Sequence, residues 1–273
     1  MIVQSASLGQ GSLVIQQQEH ARLALRIAQI WGNDTFAPLH PRSLMEFVVE
    51  HHDDGWNAVD PKLGRNADTG LPYNLIQTPF HYLMETGPGG PTLAETHHPY
   101  CGLLVSMHTY GLYNGRFGMS DKIFVNMISA DKKPVAMAML DTERARQERL
   151  RVQLQADPAF SALVEDEALF HNYKLLQFFD TLSLYFNMTH EAARGDSTFL
   201  NVPVQVGEDT QVEIRRIEKG VYGLSPYPFQ RDPITVYFEG QRISPQESDE
   251  ALAGAMKNTP LEVETIRFVS MEQ

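Results

Sequence analysis

The chain has 273 residues, of which 34 are acidic and 22 basic, for a formal charge of −12. That balance excludes a general basic face for nucleic acid, and 42% hydrophobic against 21% charged residues excludes a disordered chain. A single cysteine, Cys101, excludes an internal disulfide framework; with no apolar run of about 18 residues and no basic leader, the expectation is a cytoplasmic protein without a membrane span.

Residues 1–15 are short and β-leaning, with Met1-Ile2-Val3 and Leu13-Val14-Ile15 on either side of a glycine-rich turn. From Gln16 the period changes. His20, Leu23, Ala24, Ile27 and Trp31 fall at i, i+3, i+4, i+7 and i+11, one face of a helix that Gly32-Asn33 stops. "SLMEFVVEHH" (43–52) is a second helix with Ser43 as its cap. Residues 57–74 are rich in turn formers and read as a loop, placed to lid a site formed just before them. Helical character returns at "TPFHYLMETG", and "GPGGP" (87–91) ends it.

Residues 98–113 read as a helix with Pro99 in its first turn. A charged, exposed helix follows over 141–153. A long, mostly buried helix spans 165–188, with Phe178, Phe179, Tyr185 and Phe186 in the core. After residue 196 the segments "VPVQVG", "TQVEIRRIE" and "ITVYFEGQRI" alternate or carry β-branched residues between Gly and Pro, which are strand signals. The expected fold class is therefore mainly α: a helical body over 16–195 and a small antiparallel β appendage over 196–273, to which residues 1–15 may be added.

Ten histidines are present, seven of them before residue 100. His20 lies on the apolar face of the first helix. His52 follows Val48 and Val49 by four and three positions and shares their inward face. Asp180 sits inside "LLQFFDTLSLYF", beside Leu176 and Leu184. Burying a lone carboxylate there costs several kcal/mol, so it needs a partner. A divalent cation shared with His20 and His52 supplies one and keeps both imidazoles neutral. Taken singly, each residue has an ordinary reading: a core histidine, a solvated helix end at His51-His52-Asp53-Asp54, an arginine-paired aspartate. Cys101 reads as a small buried hydrophobe.

The segments "EHARLALRIA" (His20), "HDDG" (His52, Asp53), "HPYCGLL" (His98), "SMHTYG" (His108) and "FFDTLSL" (Asp180), in this order, resemble the HD-domain superfamily of metal-dependent phosphohydrolases over residues 16–190. Within it the chain looks closest to a bacterial branch that shares "HHDDGW", "LLVSMH" and "DTLSL" segments, a likeness that implies no substrate. The resemblance implies an HD-like helical bundle. It implies one metal held by His20, His52, Asp53 and Asp180, and a second held by His98 and His108 with Asp53 bridging. Two divalent ions of Fe, Mn, Zn, Co or Ni would flank a phosphate oxygen and acidify a bridging water.

The activity so implied is hydrolysis of a small phosphorylated molecule or nucleotide. Asp53 and Asp54 are its catalytic candidates, Asp54 by orienting a histidine or accepting a proton. Arg22, Arg116 and Lys122 are the candidates for binding the substrate's anion. The chain departs from the superfamily at Asp54, where relatives carry an apolar residue, and at Trp56, near which they carry a basic one. The doublets His51/His52 and His97/His98 leave the register open by one residue. Two other functions fit the same residues: a di-iron oxygenase, and a scaffold that binds metal or ligand without catalysis. No nucleic-acid or membrane partner is expected, and a homo-oligomer is compatible with the sequence.

Overall fold

Hydrophobic spacing folds the first two-thirds of the chain into helices, which pack on one face of a mixed sheet. The computed structural model describes residues 1–5 and 11–271, so the glycine turn expected at Gly9 lies outside the described residues. Two short strands, β1 (Ile2–Val3) and β2 (Ser12–Ile15), precede α1 (Gln17–Gln29), α2 (Arg42–His51), α3 (Phe80–His97) and α4 (Pro99–Tyr113). A four-residue turn, α5 (Gly115–Gly118), leads to α6 (Lys133–Gln155) and α7 (Asp166–Met188). The rest is β3 (Ser197–Gln205), β4 (Glu208–Glu218), β5 (Val221–Ser225), β6 (Ile234–Ile243), α8 (Asp249–Asn258) and β7 (Leu261–Ser270).

The expectation of a mainly α bundle with a small β appendage is corrected by the sheet. It has seven strands in the order β1-β2-β6-β7-β5-β4-β3. Every pairing is antiparallel except β5 with β7. Helix takes 52% of the chain and strand 21%, so this is an α+β fold. The N-terminal strands are built into the same sheet, with Val14 opposite Gln241 of β6. Val212, Tyr222, Phe238 and Phe268 of the sheet share one core with Leu23 and Ile27 of α1 and Phe179 and Phe186 of α7. One core therefore crosses residue 195, because an amphipathic helix and a one-faced sheet each bury their apolar side against the other.

Three local expectations also change. "GPGGP" lies inside α3 instead of ending it. Pro91 cannot donate to Gly87 O, and the Thr109 hydroxyl of α4 takes that carbonyl at 3.5 Å. The glycines bring α3 against the turn after α2: a Cβ on Gly89 would stand 3.1 Å from Gly55 Cα, and one on Gly90 3.2 Å from His52 O. Tertiary contact thus overrides the helix-breaking composition. α2 begins after Pro41, and Ser43 lies in its first turn without capping it. α6 starts at Lys133, well before residue 141.

The segment 57–74 is a brace more than a lid. Val59, Leu63 and Leu71 are buried in a second core with Val14, Ile243 and Leu252, which ties the segment to the sheet and α8. Among the described residues no helix is long and apolar enough to cross a membrane.

Candidate metal centre

Four helical segments converge on one interior point. α1 turns His20 inward with Leu23 and Ile27, and His20 is fully buried. α2 ends at His51, and His52 follows as its C-cap, where the Nδ1–H donates to Val49 O at 2.7 Å. That bond fixes the tautomer and leaves the Nε2 lone pair facing in. His52 Nε2 is buried and has no hydrogen-bond partner. α4 contributes His108 and α7 contributes Asp180, both buried. Asp53, next to His52, is the most open of the five, with 15% of its side chain exposed.

The distances are close and consistent. His20 Nε2 lies 3.2 Å from Asp180 Oδ1 and 3.9 Å from Asp53 Oδ2. His52 Nε2 lies 3.7 Å from Asp53 Oδ2 and 3.8 Å from Asp180 Oδ1. His108 Nε2 lies 3.9 Å from Asp53 Oδ1. Two donor groups result, His20–His52–Asp180 and His52–Asp53–His108, with the donor atoms of each within 4.8 Å of one another. Both use His52, and one imidazole offers one inward nitrogen, so these are halves of a single five-residue cluster. It can hold a metal ion: the donors are nitrogen and oxygen, the carboxylates bring the negative charge, and the orphaned His52 Nε2 has no other partner.

The electrostatics follow from burial and neighbours. For His20, burial pulls the pKa down, but the hydrogen bond and charge of Asp180, with help from Asp53, outweigh it and hold the pKa above its ordinary value. For Asp180, burial alone would raise the pKa; the His20 bond, Arg116, His108 and His52 together hold the carboxyl well below its ordinary range. Burial raises Asp53 against the opposing pull of His52 and His20. His108 is pushed down to about 3, first by burial and then by His52.

A layer of polar side chains orients the ligands. His20 Nδ1 meets Ser183 Oγ at 2.9 Å and Asn187 Oδ1 at 3.2 Å. His108 Nδ1 meets the Gln177 carboxamide at 2.9 Å. Gln177 Oε1 is unpartnered; a half-turn of the amide lets it accept Nδ1–H and frees His108 Nε2 to face the cluster. Sequence reasoning missed Gln177, Ser183 and Asn187. Their signal was readable: they sit at −3, +3 and +7 from Asp180, on the same face of α7.

The other predicted site residues separate into those the fold brings to the cluster and those it does not. Arg116 arrives: its Nη2 donates to Asp180 Oδ2 at 3.3 Å, with 22% of the side chain exposed. Its backbone is left-handed (φ 50°), between Gly115 and Gly118 at φ 63° and 90°. His98 does not arrive. It caps α4, its Nδ1 accepting from Tyr100 N at 3.0 Å, with its ring against Phe160. Ten residues separate it from His108, roughly 15 Å of helical rise, which corrects the expected second metal pair. Asp54 pairs with His51 at 2.7 Å and accepts from Asn57 at 2.9 Å, outside the cluster. His51 and His97 stack on the Phe47 ring, centroids 4.2 and 3.7 Å away, which settles the register of the first doublet at His52. Arg22, two residues past His20 and so on the opposite side of α1, is 48% exposed beside Glu19. Lys122 is exposed and forms no ion pair with the described residues.

No curated protein and no solved structure matches the chain. One family profile does, over residues 1–245, a match that runs from β1 through the whole cluster and stops before α8. The chain therefore belongs to the family described as "Protein of unknown function (DUF3891)".

Proposed function

We propose that this protein is a metal-dependent phosphohydrolase of the HD type that acts on a small phosphorylated molecule. The observation that carries this reading is the unpartnered, buried His52 Nε2, ringed by His20, Asp53, His108 and Asp180. Burying a nitrogen lone pair beside carboxylates costs free energy that a cation among them offsets. The order of the ligands along the chain resembles that of the HD superfamily, which supports this reading. His20, His52, Asp53 and Asp180 would hold one divalent ion, of Fe, Mn, Zn, Co or Ni. With His98 at the far end of α4, one ion per chain is the simpler occupancy.

Such an ion supplies Lewis-acid activation of water and of a phosphoryl oxygen. The chain's own groups do the rest. Arg116, partly exposed at the edge of the cluster, is placed to take a phosphoryl oxygen in place of Asp180 Oδ2. Asp53, the most open carboxylate of the cluster, is the one suited to accept a proton from the attacking water, at Oδ1. His108, with its pKa at about 3, stays neutral and adds no charge to repel the cation.

Metal content measured on purified protein, followed by a phosphoester panel assayed with added manganese, tests this. About one bound ion per chain and turnover of a small phosphomonoester, both lost in Asp180→Ala, are expected. Bound metal without turnover of any phosphoester removes the hydrolase and leaves only the metal centre.

A further inference from the structure

A cleft of about 250 Å³ lies beside the cluster, walled by the turn around Arg116 and Ser120, by α7 and by β3. Two of its wall residues touch metal-site ligands. Arg116 donates to Asp180 Oδ2, and the Gln177 carboxamide meets His108 Nδ1. A larger hollow of about 750 Å³ lies between residues 57–64 and α8, but none of its side chains hydrogen-bonds or ion-pairs with a cluster side chain.

The backbone marks the smaller cleft. Among the described residues the non-glycine positions with left-handed φ are Arg116 (50°), Phe117 (56°) and Asn201 (55°). Arg116 and Asn201 both line the cleft, and Phe117 follows Arg116 in the same turn. Strained backbone of this kind persists where the surroundings demand it, and it gathers at ligand sites. β3 also breaks register between Phe199 and Val202, and such a bulge re-aims the side chains it carries. It puts Leu200 and Asn201 on the cleft.

The wall has two chemistries. At the inner end stands the Arg116 guanidinium. The Lys174 ammonium also lines the cleft, already paired with Asp209. Phe178 and Phe199 also line it and meet edge to face with centroids 5.5 Å apart. The volume falls below the usual ~300–1,000 Å³ of drug-sized ligand pockets, which favours a small ligand over a polymer or dinucleotide.

We infer that this cleft is the substrate pocket of the metal centre, and that it takes a small phosphomonoester with its phosphate toward Arg116 and a short apolar or aromatic group on Phe178 and Phe199. The sheet, which the HD resemblance does not cover, thereby supplies the recognition wall. The inference rests on the hydrolase reading above only for the phosphate; the apolar wall stands without it.

Isothermal titration of the full chain loaded with manganese, using inorganic phosphate and the non-hydrolysable phenylphosphonate, separates the two. Phenylphosphonate should bind about tenfold more tightly than phosphate, the scale of one aromatic contact. Phe199→Ala should remove that preference and leave phosphate binding unchanged. Leu200→Glu changes a side chain that is 65% exposed, so the fold stays intact. It should weaken phenylphosphonate about tenfold by placing a like charge at the mouth, with unaltered manganese content. If wild type shows no preference, or both variants match it, the pocket is refuted. Manganese bound with neither probe also refutes it while sparing the centre. Phenylphosphonate bound through Phe199 without any manganese keeps the pocket and removes the hydrolase.

Discussion

His20 Nε2 and Asp180 Oδ1 stand 3.2 Å apart, brought together from positions 160 residues apart in the chain. A carboxylate oxygen only accepts, so the hydrogen between them is carried on His20 Nε2. In the metal-free protein the hydrogen bond and charge of Asp180 outweigh burial and favour the protonated ring, so the His20 pKa is raised. His52 Nε2, 3.8 Å from the same oxygen and unpartnered, has no such proton to share.

Removing ligands and removing their supports should therefore grade the loss of metal. Ser183→Ala and Asn187→Ala free the His20 ring without deleting a donor, and each should weaken metal binding about 10–100-fold. His20→Ala and Asp180→Ala delete a donor and should cost more than either. Competition titration against a metal-binding dye, on chelator-stripped protein, gives the order. Equal affinities across all four variants would mean that the metal, if any, binds elsewhere.

His98→Ala should behave differently. Its imidazole caps α4 and packs on Phe160, with centroids 4.5 Å apart. Its loss should cost about 1 kcal/mol of stability, the usual scale for a helix cap, and leave metal content unchanged. Urea unfolding beside metal analysis checks both. A fall in metal content would restore the paired-ion arrangement that the 98–108 separation argues against.

The cluster was legible in the sequence because its members obey helical spacing. His20 lies in register with Leu23 and Ile27, and Asp180 lies in the middle of an apolar helix where a carboxylate has no business unless it is paired. His98 misled because its His-Pro-Tyr-Cys-Gly context resembles a ligand motif, while its position at the start of α4 places it ten residues away from His108. Arg116 was readable only as an anion-binding candidate after His108; its reach to Asp180 depends on a left-handed turn after α4. The sheet was seen only as strands. That β2 pairs with β6 is a contact between distant segments, which no local alternation encodes. "GPGGP" was misread for the same reason, because the partner that permits it is the backbone at Gly55.

That contact can be tested directly. A Cβ on Gly55 would stand 2.1 Å from Thr86 O, a backbone atom that cannot swing away. Gly55→Ala should destabilise the fold by about 1–3 kcal/mol or more, as overpacking does. It should also weaken metal binding, since the turn carrying Asp53 must move. Gly254→Ala is the control: nothing lies within 4 Å of its Cβ, and it sits in α8. It should be neutral or stabilise by up to ~1 kcal/mol. Equal behaviour of the two variants in thermal melts would show that the α3 contact does not hold the turn.

Acidity should act on the metal-free protein from both sides of pH 6.5. His20 has a folded-state pKa above its ordinary 6.5, because Asp180 and Asp53 outweigh the effect of burial. Its contribution to stability is therefore complete below pH 6.5 and is lost as pH rises through the raised value. His108 runs the other way. Burial and then His52 push it down to about 3, so below its ordinary 6.5 the unfolded chain takes up a proton that the fold refuses. Stability from this residue falls as pH drops from 6.5 toward 3. The two limbs meet near pH 6.5, where metal-free stability from this pair should peak. A divalent ion displaces the His20 proton, so the rise in Tm on adding manganese should grow as pH rises above 6.5 and that proton becomes easier to lose. Thermal shift measurements on chelator-treated protein, with and without manganese, read both effects; His20→Gln should flatten the upper limb alone. A manganese shift that stays constant across the window would mean that no proton leaves the cluster when the ion enters.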